Sequence, residues 1–230
     1  MKLEVLNDVD SVARRAAEVI AGEARAAVTA RGRFAVAISG GRTPWVMLRA
    51  LNVLADVPWE HVHVLQVDER VAPDGHADRN LTHMCESLHA EHLHAMPVES
   101  PDLEEGAARY AQTLVDIAGS PPVIDLVHLG LGADGHTASL VPGDPALDVT
   151  DADVAITGEY QGRRRMTLTY PALNRARRVL WLVTGEDKAA MLVRLRRGDP
   201  GIPAGRVRQD HAVVIADRAA ARQHVRSAGL

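Results

Sequence analysis

Cysteine, lysine and aromatic side chains are nearly missing from this chain. Cys85 is the single cysteine, so no disulfide can close within the chain, and such usage fits a reducing, cytoplasmic setting. Phe, Trp and Tyr together make up 3% of the residues, too few to build the stacking platforms that hold unpaired bases. No apolar run is long enough to cross a bilayer, and no basic-then-apolar stretch near Met1 marks a secretory signal. Basic charge is not in excess either. A formal net charge of −4 argues against general affinity for nucleic acid or an anionic membrane. Lys2 and Lys188 are the only lysines in a chain that otherwise uses arginine, so Lys188, well inside the sequence, stands out.

A chain of 230 residues suits one domain, and residues 1–230 are expected to form it. At this size roughly 70–75% of the unfolded surface is buried on folding, so neither disulfides nor a structural metal are needed. Short apolar runs at 3–6, 34–38, 62–67, 126–129, 179–183 and 212–216 read as strands. Between them lie stretches of helical spacing: a long one after Asp8 that ends at Gly32, then 45–55, 81–88, 103–118 and 186–196, with a terminal helix from Arg218 onward. The stretch between the third and fourth helices reads as irregular. Strands alternating with helices predict an α/β fold, a mainly parallel, Rossmann-like sheet with helices on both faces. Residues 154–157 and 165–169, around Gly158 and Gly162, predict a small β-hairpin excursion from it.

The segment 125–143 organises the rest. It opens as a buried strand and breaks into Gly130, Gly132 and Gly135, which let the backbone turn and approach a ligand. Asp134 and His136 stand at that break. Ligands of open parallel sheets bind just beyond the carboxyl ends of the strands, and a histidine is a suitable general base at neutral pH. The alternative is a surface turn holding a satisfied histidine. Ser39-Gly40-Gly41-Arg42-Thr43-Pro44 joins a strand to a helix. It lacks the endings of a P-loop or a dinucleotide fingerprint. Its backbone N–H groups, with Arg42 and Thr43, make either an anion site or a plain tight turn. Asp68-Glu69-Arg70 ends a strand, either as a solvated ion pair or with Arg70 gripping a phosphate through its planar fork. His76, His83, His89, His92 and His94, with Cys85 nearby, fit no standard zinc spacing and are read as surface histidines, so no metal is expected.

Taken in order, Ser-Gly-Gly-Arg-Thr-Pro, Asp-Glu-Arg followed by Asn80, the run Leu-Gly-Leu-Gly-Ala-Asp-Gly-His-Thr-Ala-Ser-Leu-Val-Pro-Gly, Arg-Met-Thr-Leu-Thr and Gly-Glu-Asp-Lys resemble the 6-phosphogluconolactonase family over almost the whole chain. The resemblance implies hydrolysis of 6-phospho-D-glucono-1,5-lactone, a small sugar-phosphate partner, and no metal or organic cofactor. It implies catalytic roles for His136 and Asp134. Gly40, Gly41, Arg42, Thr43, Asp68, Arg70, Asn80, Arg165 and Lys188 become the candidates for holding the substrate and its phosphate. Three positions depart from the family pattern: Arg42 stands where serine is common, Val141 where phenylalanine is common, and Arg79 precedes Asn80 where serine is usual. The related glucosamine-6-phosphate deaminases share Asp-Gly-His but carry a glutamate where this chain has Val141. A sugar-phosphate sensor would need a DNA-binding module, and no helix-turn-helix precedes the first strand.

Overall fold

A computed structural model describes residues 1–227, with side chains described through residue 222. Strand β1 (Lys2–Leu6) leads to helix α1 (Val9–Arg31). The Asp8 carboxylate accepts the Ser11 N–H at 2.7 Å to start this helix, and Gly32, at φ 76°, ends it in the left-handed conformation that glycine adopts freely. Next come β2 (Phe34–Ile38), α2 (Arg42–Asn52), β3 (Val62–Gln66), β4 (Asp68–Arg70), α3 (Asn80–Ser87) and β5 (His92–His94). Then follow α4 (Leu103–Ala118), β6 (Leu126–Gly130), β7 (Val154–Ile156), β8 (Arg165–Leu168) and α5 (Tyr170–Arg175). The chain closes with β9 (Arg178–Val183), α6 (Ala189–Arg196), β10 (Ala212–Asp217) and α7 (Arg218–Ser227). The terminal helix expected from Arg218 thus runs to Ser227, and residues 228–230 lie outside the described residues.

Seven strands form one parallel sheet in the order β1-β10-β9-β6-β2-β3-β5. Side chains alternate across it with the period of two that a strand imposes. Phe34, Val36 and Ile38 of β2 enter the core beneath α1, α2 and α3, while Ala35 and Ala37 enter the opposite core with Val127, Leu129, Val179 and Trp181. That second core is covered by α4, α6 and α7 and by a smaller antiparallel sheet, β4-β8-β7. Helices therefore cover both faces, as a sheet buried on both sides requires.

Four elements differ from the sequence reading, the first being α5 (Tyr170–Arg175), a short helix not expected between the hairpin and β9. Asp68-Glu69-Arg70 does not end the buried strand: the chain bends at Val67 and these residues form β4, which adds a third strand to the expected hairpin. The stretch read as irregular contains β5, which pairs with β3 through His63 and His92. The helix expected over 186–196 is divided into a 3₁₀ turn, Glu186–Lys188, and α6, so Lys188 closes the turn just before the helix instead of lying inside it.

Candidate active site

Strands β2 and β6 are neighbours, yet the chain leaves β2 toward β3 on one side and β6 toward β9 on the other. Such a reversal opens a crevice beyond the carboxyl ends of the two strands. Ser39, Gly40 and Gly41 border it from β2, and Gly130, Leu131 and Gly132 from β6. Asp68, Arg70, Asn80, His136, Ala138, Arg165 and Lys188 complete the lining of a cavity of about 220 Å³.

The turn after β6 closes on itself. The Gly132 N–H donates to the His136 carbonyl at 2.8 Å, and the Gly135 N–H to the Gly132 carbonyl at 3.0 Å. A Cβ on Gly132 would fall 2.1 Å from His136 Nδ1 and 2.6 Å from Asp134 Oδ1, so only glycine lets the acid and the imidazole fold back over this backbone. Asp134 Oδ1 lies 2.6 Å from His136 Nδ1 and also accepts the His136 N–H at 3.1 Å. Burial alone would push the Asp134 carboxyl up. The backbone N–H and the ring of His136 outweigh it and hold the group below the usual carboxylate range. An ionised carboxylate only accepts, so Nδ1 carries the proton, and in the neutral ring the lone pair is on Nε2. His136 lines the cavity, and Asp134 is not among its lining residues.

The other wall comes from the small sheet. Arg70 and Arg165 stand directly opposite each other on β4 and β8, and both line the cavity. Like charges directly opposite on an antiparallel pair repel, so an anion between them gains twice. Asp68 shares that face of β4 and takes a 2.6 Å hydrogen bond from the Ser139 hydroxyl. Burial pushes its carboxyl up, against Ser139, Arg165 and Arg70. Burial also lowers the Arg165 guanidinium, opposed by Asp68. Glu69, between them in sequence, points the other way and is fully buried. Arg70 is braced by the Asn80 Oδ1 at 2.8 Å and the Asp78 carbonyl at 3.0 Å, and Asn80 in turn donates to the Asp68 carbonyl at 2.9 Å. A Cβ on Gly40 would lie 2.0 Å from Asn80 Oδ1, so the bare backbone of the glycine loop packs against the group that holds Arg70.

Other expected residues lie around this centre. The Lys188 ammonium reaches the cavity from the β9 side and pairs with Asp187 at 2.9 Å. Thr43 and Arg42 line a larger adjoining groove of about 980 Å³ instead. The Thr43 hydroxyl is 2.8 Å from that of Thr184 and so ties the first turn of α2 to the residue after β9. Ser139, which bonds Asp68 and lies 3.4 Å from Arg165 Nη1, is not among the residues expected from the sequence; its place three residues after His136 is its local signal. Tyr160 and Gln161, beside Arg165, carried none. Of the histidines, His63, His92 and His94 stack along the outer edge of the sheet, and among the described residues no three His, Cys, Asp or Glu side chains converge as metal ligands.

The family model "Glucosamine-6-phosphate isomerases/6-phosphogluconolactonase" matches residues 7–216. A 6-phosphogluconolactonase of Synechocystis sp. is 37% identical over 197 residues, 81% of this chain and 81% of that protein. One of Mycobacterium tuberculosis is 34% identical over 238 aligned residues, 95% of this chain and 96% of that protein. The crystal structure of a 6-phosphogluconolactonase from Thermotoga maritima superposes with a TM-score of 0.82 at 27% identity, over 94% of this chain and 98% of the other. With an acid–imidazole pair at the switch point of the same sheet, the chain belongs to the glucosamine-6-phosphate isomerase/6-phosphogluconolactonase family.

Proposed function

We propose that the chain is a 6-phosphogluconolactonase, hydrolysing 6-phospho-D-glucono-1,5-lactone to 6-phospho-D-gluconate in the second step of the oxidative pentose phosphate pathway. The observation that carries this reading is the pairing, across one cavity, of Asp134–His136 with the opposed Arg70 and Arg165. A base facing a bed of cations suits a phosphorylated substrate whose reacting carbon is uncharged.

His136 Nε2 removes a proton from water as its oxygen bonds to the lactone carbonyl carbon. The tetrahedral intermediate collapses with cleavage of the bond to the ring oxygen. Nε2 returns the proton to that oxygen, and the new carboxylic acid ionises in water. Asp134 holds the ring in the tautomer this needs and stabilises the imidazolium. Arg70, Arg165 and Lys188 grip the phosphate with charge-assisted bonds, and the free N–H groups of Gly40 and Gly41 add donors. Asp68 and Asn80 set the two arginines. Thr43 steadies the loop through Thr184, and Arg42 stands at its rim. A phosphate fixed in this way orients the lactone against His136.

The same reading treats residues 1–230 as one domain and places it in the cytoplasm, supported by the free, exposed Cys85. The deaminase alternative needs a carboxylate where Val141 lies buried, and a valine moves no proton. The test is lactone hydrolysis above the spontaneous rate, with His136→Ala alongside. The variant should fold and lose about 10²–10⁴-fold in kcat. Wild-type turnover in a folded variant, or ammonia release from glucosamine 6-phosphate at comparable rates, would overturn the reading.

A further inference from the structure

Tyr160 lies on the turn between β7 and β8, and nothing above gives it a task. Its hydroxyl donates to Asp134 Oδ2 at 3.3 Å, the carboxylate oxygen that His136 leaves free, since His136 takes Oδ1. The edge of its ring meets the His136 imidazole, with centroids 5.5 Å apart at 65°. The guanidinium carbon of Arg165 stands 5.0 Å from the centre of the same ring, a cation–π contact. One side chain therefore touches the acid, the base and a cation of the anion-binding wall.

The local backbone is built to hold it there. Tyr160 and Arg163 exchange backbone hydrogen bonds at 3.0 and 3.3 Å. The two residues between them, Gln161 at φ 54° and Gly162 at φ 76°, take the left-handed conformations of a tight hairpin turn. Glutamine adopts that conformation rarely, and here its side-chain oxygen accepts from Arg165 Nη2 at 3.2 Å. Burial, and after it the charge of Asp134, hold the Tyr160 phenol above its ordinary value, so it remains a donor at neutral pH.

We propose that Tyr160 is a positioning residue for the lactonase reaction, its hydroxyl locking the Asp134 carboxylate and its ring setting His136 and Arg165 at a fixed separation. The proposal rests on the reading of His136 as the base. Asp134 sits on a turn with its side chain 38% exposed. Held by one oxygen alone, the carboxylate can rotate and take the imidazole with it. A donor on the second oxygen stops that rotation.

Two substitutions separate the hydroxyl from the ring. Tyr160→Phe should keep KM and lose about tenfold in kcat, the scale of one hydrogen bond to a charged group. Its acid limb of kcat/KM should move to higher pH, because an Asp134 charge no longer shared favours a protonated ring. Tyr160→Leu should in addition raise KM for the phosphorylated lactone, and not for glucono-δ-lactone, because Arg165 loses its platform. Far-UV circular dichroism and Tm establish that both variants fold; Tyr160→Phe keeps the ring and decides the question if the leucine variant does not. A Tyr160→Phe enzyme with wild-type kcat and an unshifted profile overturns the proposal, provided His136→Ala measured beside it is inactive. If His136→Ala is itself active, the parent reading falls and this one with it.

Discussion

Arg70 is positioned by polar contacts before any substrate arrives. Its Nη1 donates to Asn80 and to the Asp78 carbonyl, and its cross-strand neighbour is another arginine. If that repulsion is there to be relieved by a phosphate, Arg70→Ala should raise KM for 6-phosphogluconolactone at least tenfold. Glucono-δ-lactone, which has no phosphate, should change little. Equal loss on both lactones would make Arg70 a structural partner only. Asn80→Ala should reproduce the same selective rise more weakly, since it frees the Arg70 side chain without removing its charge. The residues at this scale that the sequence disclosed are those whose chemistry is local. Asp134 and His136 are two positions apart, and the glycine that admits them is two positions before Asp134. Ser139 on Asp68 and Tyr160 on Asp134 bridge 71 and 26 positions, and no pattern in a single chain marks such meetings.

At the scale of elements, Glu69 joins a strand to a helix. From the far face of β4 its carboxylate accepts the backbone N–H groups of Asn80 and Leu81 at the start of α3, each at 2.8 Å. It also accepts from Gln66 Nε2 at 2.8 Å and from the Arg70 N–H at 2.7 Å. The Arg79 guanidinium, only 2% exposed, lies 3.1 Å away. An anion at a helix N-terminus satisfies its free donors and its dipole, and removing one member of a buried ion pair costs about 3–5 kcal/mol. Glu69→Ala should therefore lower unfolding stability in urea by about that amount. A loss below 1 kcal/mol would show that Arg79 finds another partner, for instance Glu99, 3.8 Å from its Nη1. This role also explains Arg79 before Asn80: it answers a buried carboxylate. The sequence disclosed elements that are long and periodic, such as α1 and β2. It disclosed the β7–β8 hairpin because glycines bracket its turn. It did not disclose β4 as a strand or β5 at all. Each is three residues long, and each owes its form to a distant partner strand and not to an apolar run.

Across the whole molecule, the crevice at the switch point lies over the middle of the sheet, and the middle of the sheet contains a histidine. His128 on β6 is fully buried, its Nδ1 accepting the Ser39 N–H at 3.3 Å, and burial pushes it down to about 3. Burial, joined by neighbouring positive groups, likewise lowers His63 and His94. For such a group the unfolded chain binds the proton first. Between about pH 6.5, the ordinary histidine value, and pH 3, the unfolded state holds more protons than the folded one. Stability is therefore complete above pH 6.5 and is lost as pH falls through that window, by up to about 1.4 kcal/mol per pH unit for His128. Carboxylates lowered in the fold, such as Asp134 and Asp199, act with the same sign but below about pH 4. Asp68, raised by burial, acts against them by taking up a proton more readily when folded. The interval from pH 6.5 to 4 lies above the lowered carboxylates, and within it the proton uptake of Asp68 opposes the loss caused by the histidines. Urea midpoints measured across it should fall steeply, and His128→Asn, whose amide oxygen can accept from Ser39 in place of Nδ1, should flatten the slope by about one proton. An unchanged slope in a folded His128→Asn enzyme would show that His128 is not the group that opens the sheet to acid.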